Sequence, residues 1–374
     1  MAAPPPSADR PPPRGPATAT IVAGLADAID AVAARAAPGH RFLRRAWYAA
    51  ALAAYGGTAR TLVVEEAGVA TLALPFVGVG PRMVGVATVP GAYWPFRGFA
   101  LAVDAGEAAP GVALARLART VNALRIGPVY EGDVAATRLI AAARAAGWAV
   151  LDRFVAESWV LDMPARHREG TWPRGSTLRK NRFHERHLAR QGALDWRLAT
   201  LAEAPDAIAQ MAAIEAKSWI ATRTDGTDAK FTAAGHGAFW RAIAADPVLA
   251  GMAHAALLTV DDVPAAFSFD LELGRLRYAI ANSYDPAVAR HSPGRLLHYR
   301  GLVDARARGV ETVDWGAGDS GYKQALGATR GPAIRDWLLL RPGVPAAIGT
   351  VLRGIWRRSG RRMPRDDGAR ATDR

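Results

Sequence analysis

A chain of 374 residues has room for two medium domains and little else. Half of its residues are hydrophobic and 22% are charged, which excludes a wholly disordered chain and allows a sizeable core. It has no cysteine, which excludes disulfide frameworks, thiolate metal sites, Fe–S clusters and thiol nucleophiles, and its net charge of +13 points to an acidic partner. Arginine and alanine richness, with lysine only at Lys180, Lys217, Lys230 and Lys323, is also what a GC-rich genome writes, so a retained lysine is a mild pointer.

Residues 1–20 begin MAAPPPSADRPPPRGP and read as a disordered Pro/Ala leader without the basic and apolar regions of a secretory signal. No apolar run reaches the ~18 residues of a membrane span, so the expected location is cytoplasmic. Helical periodicity covers Ile21 to Ala37 and Arg41 to Tyr55, and Gly56-Gly57 closes the second segment. Strands follow at Thr61–Glu65, Val69–Phe76 and Met83–Val89, then an aromatic loop with Tyr93, Trp94 and Phe96. Glu107 to Leu124 reads as a helix, Arg125 to Tyr130 as a short strand, Val134 to Ala146 as a helix, and Trp148 to Met163 as extended chain.

A second unit starts after Pro164. Ser176 is an N-cap candidate for a basic helix over Thr177–Arg190, flanked by Arg174. Leu194–Leu198 is a strand, and Pro205–Trp219 and His236–Ala245 are helices. Gly251–Val260, Pro264–Leu273 and Arg275–Ser283 are strands separated by turns. Ser292-Pro293-Gly294 opens a helix to Arg308, and Thr312–Trp315 and Arg335–Leu340 are the last strands. The hairpin of Thr61–Glu65 and Gly68–Leu74 parallels that of Leu257–Val260 and Val263–Phe269, each followed by a third strand and a helix. The pattern predicts a tandem duplication of one α+β unit: residues 21–165, residues 166–343, and a basic tail over 344–374.

Five stretches in order carry a family resemblance: Leu178-Arg-Lys-Asn-Arg182, Ile214-Glu-Ala-Lys-Ser-Trp219, Val263-Pro-Ala-Ala-Phe-Ser-Phe269, Ser283-Tyr-Asp-Pro through Gly294, and Val313-Asp-Trp-Gly through Lys323. Over residues 173–326 the chain resembles the GCN5-related N-acetyltransferase (GNAT) superfamily, in its BioF2-like or CelD-like branch, related to the Fem-like peptidoglycan aminoacyltransferases. The first half matches as a degenerate copy. The resemblance implies two GNAT-like domains, each a mixed, mostly antiparallel sheet flanked by helices. It implies acyl transfer from acetyl-CoA or another acyl-CoA to an amine, without a metal, and an acceptor among polysaccharide or envelope precursors. An acyl carrier protein is an alternative donor, being acidic where this chain is basic. A non-catalytic accessory role in exopolysaccharide or cellulose production is the rival reading; nucleic acid is not the expected partner.

The resemblance also implies a pair of splayed strands, expected at Ala265–Leu271 and Leu276–Ser283, whose freed N–H groups polarise a thioester. Arg290, Ser292, Pro293, Gly294 and Arg295 fit a phosphate cradle for the donor: proline suits a first helical turn, glycine lets a ligand approach, and a helix N-terminus attracts anions. The alternative is an ordinary capped loop. Tyr284 is the candidate proton donor to the leaving thiolate, and Asp319 the candidate base. Lys323, expected on an exposed loop, is the candidate partner of the acceptor or the oxyanion. Trp219, Asp285 and Tyr322 are candidate acceptor contacts; the plainer reading is core packing for Trp219, a packing aromatic for Tyr284, and a solvated loop for Tyr322 and Lys323.

Gly316-Ala-Gly-Asp-Ser-Gly321 has dinucleotide-loop spacing, but Gly327 leaves no room for the helix such a site needs. His184 and His187 read as a basic helix face rather than a metal site. In the tail, Val351, Leu352, Ile355 and Trp356 beside Arg353, Arg357 and Arg358 suggest an interfacial helix on an anionic membrane, or one packed on the domain.

Overall fold

The computed structural model describes residues 16–91, 97–170, 172, 175–218, 226, 228–318 and 321–360. Expectations about Tyr93, Trp94, Phe96, Arg174, Trp219, Asp319 and the leader before residue 16 therefore lie outside the described residues.

In the first half, strand β1 (Ala17–Ala23) precedes helices α1 (Ala28–Ala34) and α2 (Arg45–Tyr55). Strands β2 (Ala59–Glu66), β3 (Val69–Val79), β4 (Val86–Thr88) and β5 (Ala100–Leu101) follow. Helix α3 (Ala109–Leu117), strand β6 (Ala123–Tyr130), helix α4 (Val134–Ala145) and strand β7 (Ala149–Asp162) complete it. The second half opens with α5 (Met163–Arg168), α6 (Gly175–Leu188), β8 (Leu194–Thr200), α7 (Ala207–Lys217), α8 (Gly237–Ala244) and α9 (Pro247–Met252). Then come β9 (Ala253–Val260), β10 (Val263–Leu273), β11 (Leu276–Tyr284), α10 (Pro293–Ala307), β12 (Thr312–Ala317), α11 (Tyr322–Ala325), β13 (Thr329–Leu340) and α12 (Ala346–Gly360).

The helix expected over Ile21–Ala37 is a strand followed by a short helix. β1 pairs antiparallel along β2, from Ala17 opposite Glu66 to Ala23 opposite Arg60, and its burial alternates. Gly24, at φ +75°, turns the chain out of the strand before α1. Sheet pairing here overrides an alanine-rich local pattern.

Among the described residues the strands form one 13-stranded sheet, in the order β1-β2-β3-β4-β6-β13-β7-β12-β11-β10-β9-β8, with β5 on β3. Each half runs through antiparallel neighbours into one parallel pair: β4 with β6, and β11 with β12. The terminal strands are exchanged. β13 lies between β6 and β7, and β7 lies between β13 and β12. The sheet is therefore mixed and mostly antiparallel, and the duplication is visible in its topology.

One core cluster joins both halves. Trp47 of α2 packs edge-on against Phe239 and Trp240 of α8, with centroids 4.9 and 6.0 Å away. Both helices cover the sheet through Ala73 of β3 and Phe267 and Phe269 of β10. A second core holds α3 and α4 against the first half of the sheet. Helix α12 packs Leu352 and Trp356 on Ala123, Leu338 and Leu340, and leaves Val351 and Ile355 exposed.

Candidate functional site

The opening between strands is not where the sequence puts it. β10 and β11 remain paired from Ala266 opposite Tyr284 to Leu273 opposite Leu276. β11 and β12 separate instead: they pair only at Leu276–Thr312, Arg277–Val313 and Tyr278–Asp314. A parallel neighbour arrives only after a crossover helix, so the hairpin partner keeps its hydrogen bonds while the crossover partner can diverge. The β10–β11 register also skips Ile280, a bulge two residues past the last parallel pair.

Where β11 and β12 part, buried polar groups from both halves meet. Asp314 is buried and accepts the Gly316 N–H at 2.7 Å. Burial pushes its carboxyl up to about 6, against the pull of Gly316, the Tyr130 hydroxyl and the Lys323 ammonium. Tyr130, at the end of β6, stacks on Tyr278 with centroids 6.3 Å apart and planes at 6°. Burial and then Asp314 raise both phenols far above their ordinary range. Gly39 admits the Tyr278 hydroxyl; a Cβ there would stand 3.0 Å from it. Beside them His40 Nε2 lies 2.6 Å from Asp133 Oδ2. Burial alone would depress His40, but the Asp133 carboxylate outweighs it and raises the imidazole.

A second group lies at the far end of β11. The turn Pro286–His291 leads into α10, with Asp285 Oδ1 accepting the Ala287 N–H at 2.9 Å. Asp285 Oδ2 also pairs with Lys217 at 3.2 Å, so this carboxylate anchors the turn. Ser292 has φ +52°, and Pro293 begins the helix. The Gly294 and Arg295 N–H groups lie in the first helical turn, where no preceding helical carbonyl serves them. The space a Cβ would take at Gly294 is filled by the Tyr284 ring, at 3.1 Å, so glycine serves side-chain packing here.

The basic helix and the cradle, separate features in the sequence, come together. α6 packs on α10 and on the turn before it. Burial first, then the cations Arg295 and Lys180, depress His184. Burial and Arg290 depress His291, whose Nε2 accepts from Arg290 Nε at 2.9 Å. Two imidazoles lowered first by burial and then by neighbouring cations accompany a concentration of positive charge around the start of α10.

Lys323 is not on an exposed loop. Only 5% of it is exposed, and its ammonium donates to the carbonyls of Trp315 at 2.9 Å and Ala317 at 2.7 Å. It ties α11 to the end of β12. Tyr322 is exposed and meets His298 edge-on at 6.5 Å. His298 accepts Trp315 Nε1–H at 2.9 Å, and burial pushes it down to about 3, so it stays neutral.

Sequence reasoning missed Asp314, Tyr278 and Tyr130. An aspartate inside the apolar strand Thr312–Trp315 was the available signal, since a buried carboxylate demands a reason. Tyr130 carried no signal, because its partners lie in the other half of the chain.

The comparisons agree with this architecture. The family model for the GNAT acetyltransferase domain matches residues 175–324. Solved structures share the fold at low identity. The C-terminal domain (DUF2156) of a protein assigned as a lysylphosphatidylglycerol synthetase from Agrobacterium fabrum has a TM-score of 0.53 at 14% identity, covering 88% of this chain and 94% of that one. A conserved protein of unknown function from Bacteroides thetaiotaomicron has a TM-score of 0.55 at 11% identity, covering 86% and 100%. FemX has a TM-score of 0.50 at 12% identity, covering 78% and 90%. No curated protein matches the chain significantly. Residues 175–324 match the GNAT acetyltransferase domain model, and the chain as a whole shares its fold with the lysylphosphatidylglycerol synthetase domain and FemX.

Proposed function

We propose that this protein is an N-acyltransferase that moves an acyl group from acyl-CoA to an amine, with residues 21–165 as a degenerate repeat completing the site. The single observation that carries the reading is the divergence of β11 and β12, with a phosphate cradle at one end and a buried, raised carboxyl at the other. Ile280 and Tyr284 are four strand residues apart, about 13 Å at ~3.3 Å per residue. That span suits an extended pantetheine arm, with the pyrophosphate at Gly294 and Arg295 and the thioester near Ile280.

The backbone N–H left out of the ladder at the Ile280 bulge is the candidate donor to the thioester oxygen. The acceptor nitrogen attacks the carbonyl carbon, the C–S bond breaks, and the nitrogen's proton passes to Asp314. Tyr278 and Tyr130, held protonated by burial, can hydrogen-bond the reacting groups, and the proton taken up by Asp314 can pass on to the leaving thiolate. Lys323 supports the β12 end from within, and Asp285 supports the cradle.

Calorimetric titration with acetyl-CoA tests this. Wild type should bind. Gly294→Val, which forces a branched side chain against Tyr284, should lose binding, while Tyr284→Phe, which keeps the ring, should retain it. Failure of wild type to bind any acyl-CoA, or unchanged binding by Gly294→Val, would remove the cradle and the reading with it.

A further inference from the structure

The two halves repeat one topology, so their parallel pairs can be compared position by position. In the second half the last pair before β11 and β12 separate is Tyr278–Asp314. In the first half the last pair before β4 and β6 separate is Thr88–Arg125. The repeat that carries a buried acid at the opening in one half carries an arginine in the other. The first half has replaced a proton acceptor with a fixed cation.

Arg125 has two arginine neighbours and one acid. Asp336 of β13 is fully buried, and both its oxygens are engaged. Arg125 donates to it through Nε at 3.0 Å and Nη2 at 2.7 Å, and Arg153 of β7 through Nη2 at 2.5 Å. Arg153 also donates to Ser359 at 2.7 Å and lies over the Trp356 ring of α12. Arg97 is the third. Its Nε is sealed from solvent without a hydrogen-bond partner, and its guanidinium forms no ion pair among the described residues. Burial first, and then Arg125, lower it to about 10. Nearby Glu131 and Asp152 are held by Arg335 instead.

We infer that Arg97, Arg125 and Arg153 form a phosphate-binding site in the opening of the first half. Three guanidinium groups against one carboxylate leave two positive charges in a half-buried place. A phosphate monoester, at about −1.5 to −2, balances that excess, whereas a single carboxylate would not. Planar guanidinium forks suit phosphate oxygens, and an unpaired buried cation otherwise has a large desolvation penalty. The site is separate from the donor cradle at α10, so it stands or falls independently of acyl transfer.

The test uses the full chain. Inorganic phosphate, compared with chloride at equal ionic strength, should raise the melting temperature of wild type by a few degrees. Gly294→Val, altered at the donor cradle, should keep that response. Arg97→Gln, which leaves both Asp336 pairs intact, should lose it while still binding acetyl-CoA. Arg97→Lys keeps the charge but not the fork, and should weaken phosphate binding about tenfold; it also serves if Arg97→Gln does not fold. Cosedimentation with phosphatidic acid vesicles but not phosphatidylcholine vesicles, abolished by Arg97→Gln, would identify a lipid headgroup as the source. A melting shift without cosedimentation would identify a soluble phosphate. No phosphate response in wild type, or a response in both Arg97 variants equal to that of wild type, would overturn the site.

Discussion

Asp314 owes its chemistry to burial rather than to its type. On the surface it would be a permanent anion; at the parting of β11 and β12 its carboxyl is lifted from 3.8 to about 6. The role of base proposed for it requires turnover to rise as pH climbs through about 6. Asp314→Asn should remove that limb and lower kcat by roughly 10²–10⁴. Stability runs the other way. The folded carboxyl binds its proton more tightly than the unfolded one, so ionising it between about pH 4 and 6 destabilises the fold, by up to about 3 kcal/mol at pH 7. Denaturant melts of Asp314→Asn should show equal or greater stability at pH 7, with the gap closing near pH 4. A clear loss of stability at pH 7 would make Asp314 part of the scaffold instead. Asp270 is also pushed up to about 6, but it pairs with Arg277 at 3.1 Å, so Asp270→Asn should leave the activity limb in place. Lys323 shows the opposite case, a charge used for support. Lys323→Met strands the carbonyls of Trp315 and Ala317 and should cost about 1–3 kcal/mol. Its melting temperature should fall in step, and an unchanged melting temperature would mean those carbonyls find other partners.

At the scale of elements, what was legible depended on how local the signal was. The hairpin of β9 and β10 could be read because Asp261-Asp262 breaks an apolar run, and both aspartates adopt positive φ in the turn. The start of α10 could be read because Pro293 and Gly294 punctuate it. β1 could not, since its pairing with β2 spans two intervening helices and its own residues favour helix. The opening was assigned to the wrong strand pair for a similar reason. Which neighbour diverges from β11 depends on strand order, and strand order follows from the crossover through α10, not from either strand's composition. Asp314 was hidden twice over, as an ordinary residue in an ordinary strand and by its partner Tyr130 in the other half. α12 satisfied one of its two expectations visibly: its Leu352–Trp356 face packs on the sheet, while Val351 and Ile355 face outward beside Arg353, Arg357 and Arg358.

Across the whole molecule the exchange of β7 and β13 makes the halves mutually dependent. Removed from its partner, the first half would lose β13 and leave β6 with a bare edge and β7 with no neighbour at all. The second half would lose β7, leaving β12 with an open edge and β13 with no neighbour at all. Unpaired edges of this length invite aggregation. The shared core adds to the penalty, because Trp47 in one half and Phe239 and Trp240 in the other are almost wholly buried against each other. Exposing such aromatics costs several kcal/mol apiece, comparable to the ~5–15 kcal/mol stability of a whole domain. Residues 1–165 and 166–374 expressed separately should therefore be insoluble or lack a cooperative melt. Expressed together, they should recover as a one-to-one complex that elutes at the size of the intact chain. The measurement is size-exclusion chromatography with a thermal melt on each preparation. If either piece alone were monomeric and melted cooperatively, the exchanged strands would be ornament on two independent domains, and the site built from Tyr130 and Asp314 would have to tolerate relative motion between them.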